Sequence, residues 1–172
     1  MDCEEIFGLA LDDHRARHMA EQLFDEVKRE LSSNLPSDAQ VLHVGATSIP
    51  GCLTKGDLDI VVRVDASEFA AAETYLASRF SRNESSARSH EFAAFEDPDR
   101  APPLGVQLTA KGGSFDIFHT FAEALRANAV LLRRYNALKL AFQNKPMAQY
   151  RAAKGAFINE VLQSVLDHEN SR

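Results

Sequence analysis

Residues 43–60 read HVGATSIPGCLTKGDLDI. Asp57 and Asp59 alternate with Leu58, Ile60, Val62 and Val64. That is the period of a strand, so the two carboxylates share one face and the apolar residues take the other. Residues 40–44 read as a short strand before it. Between the two lies a small-residue loop, in which Gly at Pro50-Gly51 supplies the positive φ of a turn. Gly45-Ala46-Thr47-Ser48 lets backbone approach a ligand and offers two hydroxyls to phosphate oxygens, and Lys55 stands within reach of the same anion. The run lacks the Gly-Lys-Ser/Thr ending of a P-loop. An acidic pair behind such a loop suits a divalent metal held against a nucleoside triphosphate.

Outward from this block, Asp12 to about Leu35 predicts an amphipathic helix with Met19, Leu23, Val27 and Leu31 on its apolar stripe. Ser67 reads as the N-cap of a second helix running to about Phe80. Residues 81–89 read as a polar surface loop, 90–95 as a strand, and the proline-interrupted 97–103 as irregular. Leu104–Ala110 and Ser114–Phe121 flank Lys111-Gly112-Gly113 and predict an antiparallel hairpin, with Asp116 facing the same way as Ser114 and Phe118. Helices over about 122–128, 130–142 and 147–168 complete the chain. The order predicts an α+β fold: a mixed sheet with flanking helices and a C-terminal helical segment. One domain is expected, with a core over about 12–121 and a tail over about 122–168.

The chain has 172 residues, 45% hydrophobic and 26% charged, with a formal net charge of −6. That balance argues against a general nucleic-acid coating protein. The acidic N-terminus resembles neither a secretion signal nor a membrane span. Cys3 and Cys52 lack metal-site spacing, and a reduced, cytoplasmic setting is expected. Residues 1–40 are acid-rich (Asp2 and Glu4 among them), whereas 126–154 hold no Asp or Glu and carry seven Arg and Lys. This basic stretch either faces an anionic ligand or forms solvated helix faces.

Asp57, Asp59 and Asp116 are the candidate metal ligands and catalytic carboxylates. A mid-strand Asp between Leu58 and Ile60 is disfavoured unless it has a task, and Asp116 between Phe115 and Ile117 reads the same way. If the strand of Asp116 neighbours that of Asp59, the three converge within roughly 5–6 Å on one Mg²⁺ or Mn²⁺. Lys139 and Lys154 each follow a Tyr at i, i+4 and are placed to clamp a triphosphate. His14 and His18 have helical metal-pair spacing without a third ligand and read as surface residues. His43 and His119 read as structural hydrogen-bonding residues ahead of the alternative, acid/base groups.

The 43–60 block, followed by FAEALRANAVLLRRYNALKLAF and QYRAAKGAFINEVL, resembles the GrpB family from about His43 to Leu162. That family is similar to the nucleotidyltransferase superfamily of the DNA polymerase β type. The resemblance implies that superfamily's fold, metal-dependent nucleotidyl transfer and a three-carboxylate site. It places Gly45 at the loop glycine and Ala46 where Ser is usual; Thr47 is kept, and Ser48 lies beside it. Asp59 matches the family's usual Asp, Asp57 a superfamily carboxylate that many relatives lack, and Asp116 the third carboxylate by its place in the hairpin. Lys139, Tyr150 and Lys154 match recurring positions of the tail.

The expected activity is transfer of a nucleoside monophosphate from an NTP to a hydroxyl of a small acceptor. Gly45, Thr47, Ser48, Lys55, Lys139 and Lys154 would bind the nucleotide; no membrane partner is expected, and a small acceptor is favoured over nucleic acid. One rival is a non-catalytic nucleotide- or cofactor-binding module of the same fold, for which Ala46 speaks. Another is a transferase acting on RNA or protein, which predicts a basic groove along 126–154.

Overall fold

The computed structural model describes residues 5–171; Asp2, Cys3 and Glu4 lie outside them. Helix α1 (Asp13–Ser32) begins where the Asp12 carboxylate accepts the Arg15 N–H at 3.0 Å, satisfying one orphan donor of the first turn. Its buried stripe is Ala20, Leu23, Val27 and Leu31, one residue away from the expected Met19. Strand β1 (Gln40–Val44) leads through Gly45 into a 3₁₀ turn, Ala46–Ser48, and β2 (Leu58–Val64) follows. A second 3₁₀ turn, Ala66–Glu68, precedes helix α2 (Phe69–Arg79), so Ser67 lies inside that turn and caps nothing. The polar stretch after it contains a two-residue strand, β3 (Ser81–Arg82), ahead of β4 (Phe92–Asp97) and β5 (Leu104–Ala110).

These strands form one sheet in the order β1-β2-β5-β4-β3. β2 and β5 are parallel neighbours, and the other pairs are antiparallel. The register sets Asp59 opposite Gly105, Val61 opposite Gln107 and Arg63 opposite Thr109.

The expected hairpin after β5 does not form. Both edges of β5 are already taken, by β2 and by β4, so a strand over 114–121 would find no free backbone ladder. Instead residues 111–117 turn, with the Asp116 N–H bonded to Gly113 O at 3.1 Å, and α3 (Phe118–Ala127) begins. Asn128 caps α4 (Ala129–Phe142) by accepting the Val130 and Leu131 N–H groups. Helix α5 (Met147–Glu169) ends the described chain.

Alternation along β2 and β5 sends Leu58, Ile60, Val62, Leu104, Val106 and Leu108 into a core with α1 and α2. Asp59, Arg63, Gly105, Gln107 and Thr109 fall on the opposite face, as the period of 2 requires. A second apolar cluster joins Ile49, Cys52, Leu125, Tyr135, Phe157 and Val161, tying the 45–53 loop to α3, α4 and α5. The helical tail thus closes over the polar face of the sheet. Among the described residues no helix is long and apolar enough to cross a membrane.

Candidate active site

The site lies where the start of β2 meets the loop after β1. Gly45 has φ +74°, and a Cβ there would sit 2.5 Å from Oδ2 of Asp59. Gly45 is therefore required twice, by its left-handed backbone and by the carboxylate packed on it. A Cβ on Gly105 would come within 3.0 Å of Asp59 Oδ1 and 3.5 Å of Gln107 Nε2. Asp59 is clasped between two glycines, with Gln107 beside it on the neighbouring strand.

The loop is held by arginines that the sequence did not single out. The Arg17 guanidinium donates to the carbonyls of Ala46, Thr47, Ile49 and Cys52 at 2.8–3.1 Å. Arg126 donates to the carbonyl and the hydroxyl of Ser48. Thr47 is 1% exposed; its hydroxyl bonds His43 Nε2 at 2.9 Å and donates to Asp57 O at 3.1 Å. The Ser48 hydroxyl donates to Gly45 O at 2.8 Å. Both hydroxyls expected to face phosphate are turned into the loop, where they fix its shape. His43 has the structural bond anticipated for it, and burial, with Arg126 and Arg17 nearby, depresses its pKa to about 4.

Two chambers meet at Asp59, and Ala46, Tyr135 and Lys154 border both. The charged chamber, about 160 Å³, is lined by Asp57, Lys55, Lys139, Tyr150 and Arg151 as well. Lys55 Nζ lies 3.2 Å from Asp57 Oδ2. Lys139 is 3% exposed, with Nζ 4.6 Å from the centroid of the Tyr135 ring. Burial lowers the Lys139 pKa to about 8, and Lys154 and Lys55 add to that fall. Burial raises the Asp59 pKa, assisted by Asp57 and opposed by Lys154, Lys55 and Lys139. Two carboxylates and four cations thus share one cleft, and each sign stabilises the other.

Asp116 is not part of it. Its carboxylate takes two 2.6 Å bonds from Nε and Nη2 of Arg63 and a 2.8 Å bond from the Gly112 N–H. Arg63 is four residues along β2 from Asp59, about 13 Å away along a strand. Among the described residues no three His, Cys, Asp or Glu side chains gather into a metal site. The expected three-carboxylate cluster therefore reduces to Asp57 and Asp59, because the turn after β5 carries Asp116 to the other end of the sheet. The side chain beside Asp59 is Gln107, whose Oε1 is buried without a hydrogen-bond partner. Its sequence signal was a lone amide in the run Leu104–Ala110, LGVQLTA. The two carboxylates of Asp57 and Asp59 are hard ligands that fit one Mg²⁺ shared with phosphates.

Residues 10–164 match the family model described as GrpB protein. A UPF0157 protein of Vibrio cholerae is 35% identical over 143 residues, covering 83% of this chain and 75% of that protein. A UPF0157 protein of Deinococcus radiodurans is 31% identical over 146 residues, covering 81% and 74%. The crystal structure of GrpB from Enterococcus faecalis superposes with a TM-score of 0.64 at 20% identity, over 87% of this chain and 94% of that one. Cid1 poly(U) polymerase with MgGTP bound superposes with a TM-score of 0.53 at 13% identity, over 76% of this chain and 43% of Cid1. The sheet and its helices are nucleotidyltransferase-like.

Proposed function

Because this chain belongs to the GrpB family, we propose that it binds a nucleoside triphosphate with a divalent cation and transfers the nucleoside monophosphate to a hydroxyl of a small acceptor. The observation that carries the reading is the convergence of Asp57 and Asp59 with Lys55, Lys139, Arg151 and Lys154 on one chamber. The MgGTP held by Cid1, on a sheet of the same fold, supports it by analogy.

Asp57 and Asp59 would hold a Mg²⁺ or Mn²⁺, which neutralises phosphate charge when bound. Lys139 and Lys154 bind the triphosphate from the helical side, and Lys55 reaches it from the loop. The backbone at Gly45 and Ala46 lines the phosphate path, while Thr47 and Ser48 keep that backbone in shape. Tyr135 and Tyr150 wall the chamber against water. A second reading, a nucleotide-binding module without transfer, draws on Gln107, since an amide cannot take a proton from an acceptor.

Calorimetric titration of ATP, GTP, CTP and UTP, with and without Mg²⁺, tests the reading. We expect binding only with the metal, weakened at least tenfold in Asp59→Asn and Asp57→Asn, and pyrophosphate release once an acceptor is present. Equal binding without metal, or in the variants, would contradict it. Metal-dependent binding that never yields pyrophosphate favours the second reading.

A further inference from the structure

The chamber on the other side of Asp59 has a different character. It encloses about 150 Å³ and is lined by Val44, Ile49, Ile117, Phe118, Phe121 and Ile158. Among the described residues its charged lining is Asp59 and Lys154, which it shares with the charged chamber. Gln107 also lines it, and Oε1 of Gln107 is buried and unpartnered. An amide left without hydrogen bonds costs free energy that a ligand hydroxyl can recover.

We propose that this chamber is the acceptor subsite and that it takes a single-ring phenol whose hydroxyl hydrogen-bonds the side-chain amide of Gln107. The proposal rests on the triphosphate reading of the adjoining chamber. In an in-line displacement the nucleophile arrives opposite the leaving group. With the pyrophosphate leaving toward Lys139, Lys55 and Arg151, a nucleophile held in the adjoining apolar chamber would reach a phosphorus beside Asp59 from a direction away from those cations.

Its volume is that of an apolar cavity that holds benzene. A polynucleotide end would bring phosphates against apolar walls, with Lys154 as the one cation, at a large desolvation cost. Gln107 explains the choice of phenol over alkyl alcohol. The amide orients a hydroxyl but cannot deprotonate it, and a phenol, with a pKa near 10, ionises far more readily than an alkyl alcohol. In the step, the phenolic oxygen bonds to the α-phosphorus and the α–β bridging P–O bond breaks. Its electron pair leaves on pyrophosphate, and the phenolic proton passes to solvent water.

The test is a nucleotide-free NMR titration of the whole protein with p-cresol and with toluene, its counterpart without the hydroxyl. The Gln107 side-chain amide and the Phe118 and Phe121 backbone amides are the reporters. We expect p-cresol to shift all three and to bind at least fivefold more tightly than toluene. Gln107→Leu should erase that preference while still binding toluene, and Ile158→Trp should exclude both. An acetylated Gly-Tyr-Gly amide separates the sources: binding as tight as p-cresol assigns a tyrosyl side chain, weaker binding a free small phenol. p-Cresol should also bind alongside Mg²⁺ and a non-hydrolysable ATP analogue. Equal affinity for toluene, no shifts at the reporters, or expulsion of p-cresol by the analogue would overturn the proposal. Because the first titration holds no nucleotide, its failure is separate from failure of the calorimetric test.

Discussion

Arg63 holds the Asp116 carboxylate in a two-pronged pair whose side chains are 17% and 5% exposed. Burial acts to raise the Asp116 pKa, but the Arg63 hydrogen bonds and the Gly112 N–H outweigh it and keep it below the usual carboxylate value. The residue is an anchor for the turn into α3, not a metal ligand. Asp116→Asn should cost about 3 kcal/mol, because it strands a half-buried guanidinium, and lower the Tm by roughly 10 °C in a chain of this size. Below the melt, nucleotide affinity should stay within about twofold of wild type; calorimetry beside a thermal melt checks both. At this scale the sequence pointed to Asp57, Asp59, Gly45 and Lys139 by local signals (charge at the start of and within an apolar strand, a glycine after a strand, a lysine four residues from a tyrosine), and the structure gathers all four around the two adjoining chambers. The sequence was a poor guide to Arg17 and Gln107, because what each touches is set by chain far away in sequence.

The element that makes the site is the loop from Gly45 to Cys52, and α1 hydrogen-bonds it through Arg17. Arg17→Met removes all four carbonyl contacts while keeping the length of the side chain. The expected loss is on the order of 3 kcal/mol from charge-assisted bonds. Hydrogen exchange should show amides of 46–52 opening at least tenfold faster, with those of β2 and β5 little changed, and nucleotide binding should weaken in step. The strand Leu104–Ala110 was legible to the residue, since alternation and flanking turn residues agree. The segment 114–121 was not. Its Phe115 and Ile117 fit a strand period as well as Phe118, Phe121, Ala122 and Leu125 fit a helical stripe. What decides is the sheet order, which leaves β5 no edge to offer, and no short window of sequence contains that fact.

Across the whole molecule the basic C-terminal stretch divides in two. Lys139, Arg151 and Lys154 turn toward the cleft, whereas Arg134 pairs outward with Glu160 at 2.8 Å. Arg151 also pairs with Glu5 at 3.0 Å. A continuous basic groove of the kind an RNA acceptor calls for is therefore broken by carboxylates, in keeping with a small acceptor. The buried Lys139 gives the fold a pH signature. Its pKa is about 8 in the folded chain against 10.5 ordinarily, so between those values the unfolded chain binds more protons and stability rises with pH. The slope should approach ~1 kcal/mol per pH unit within that window and vanish in Lys139→Met, as urea melts at pH 8, 9 and 10 will show. Triphosphate binding should run the opposite way, weakening above about pH 8 as the ammonium is lost.

The central claim is that Asp57 and Asp59 alone form the metal-binding pair. The most direct measurement is an anomalous difference map from crystals grown with Mn²⁺ and a non-hydrolysable triphosphate. The account predicts a Mn²⁺ peak bridging Asp57 and Asp59, absent in Asp59→Asn, with phosphate density beside Lys139 and Lys154. A triphosphate bound there without a Mn²⁺ peak, or a peak at Asp116, would contradict it.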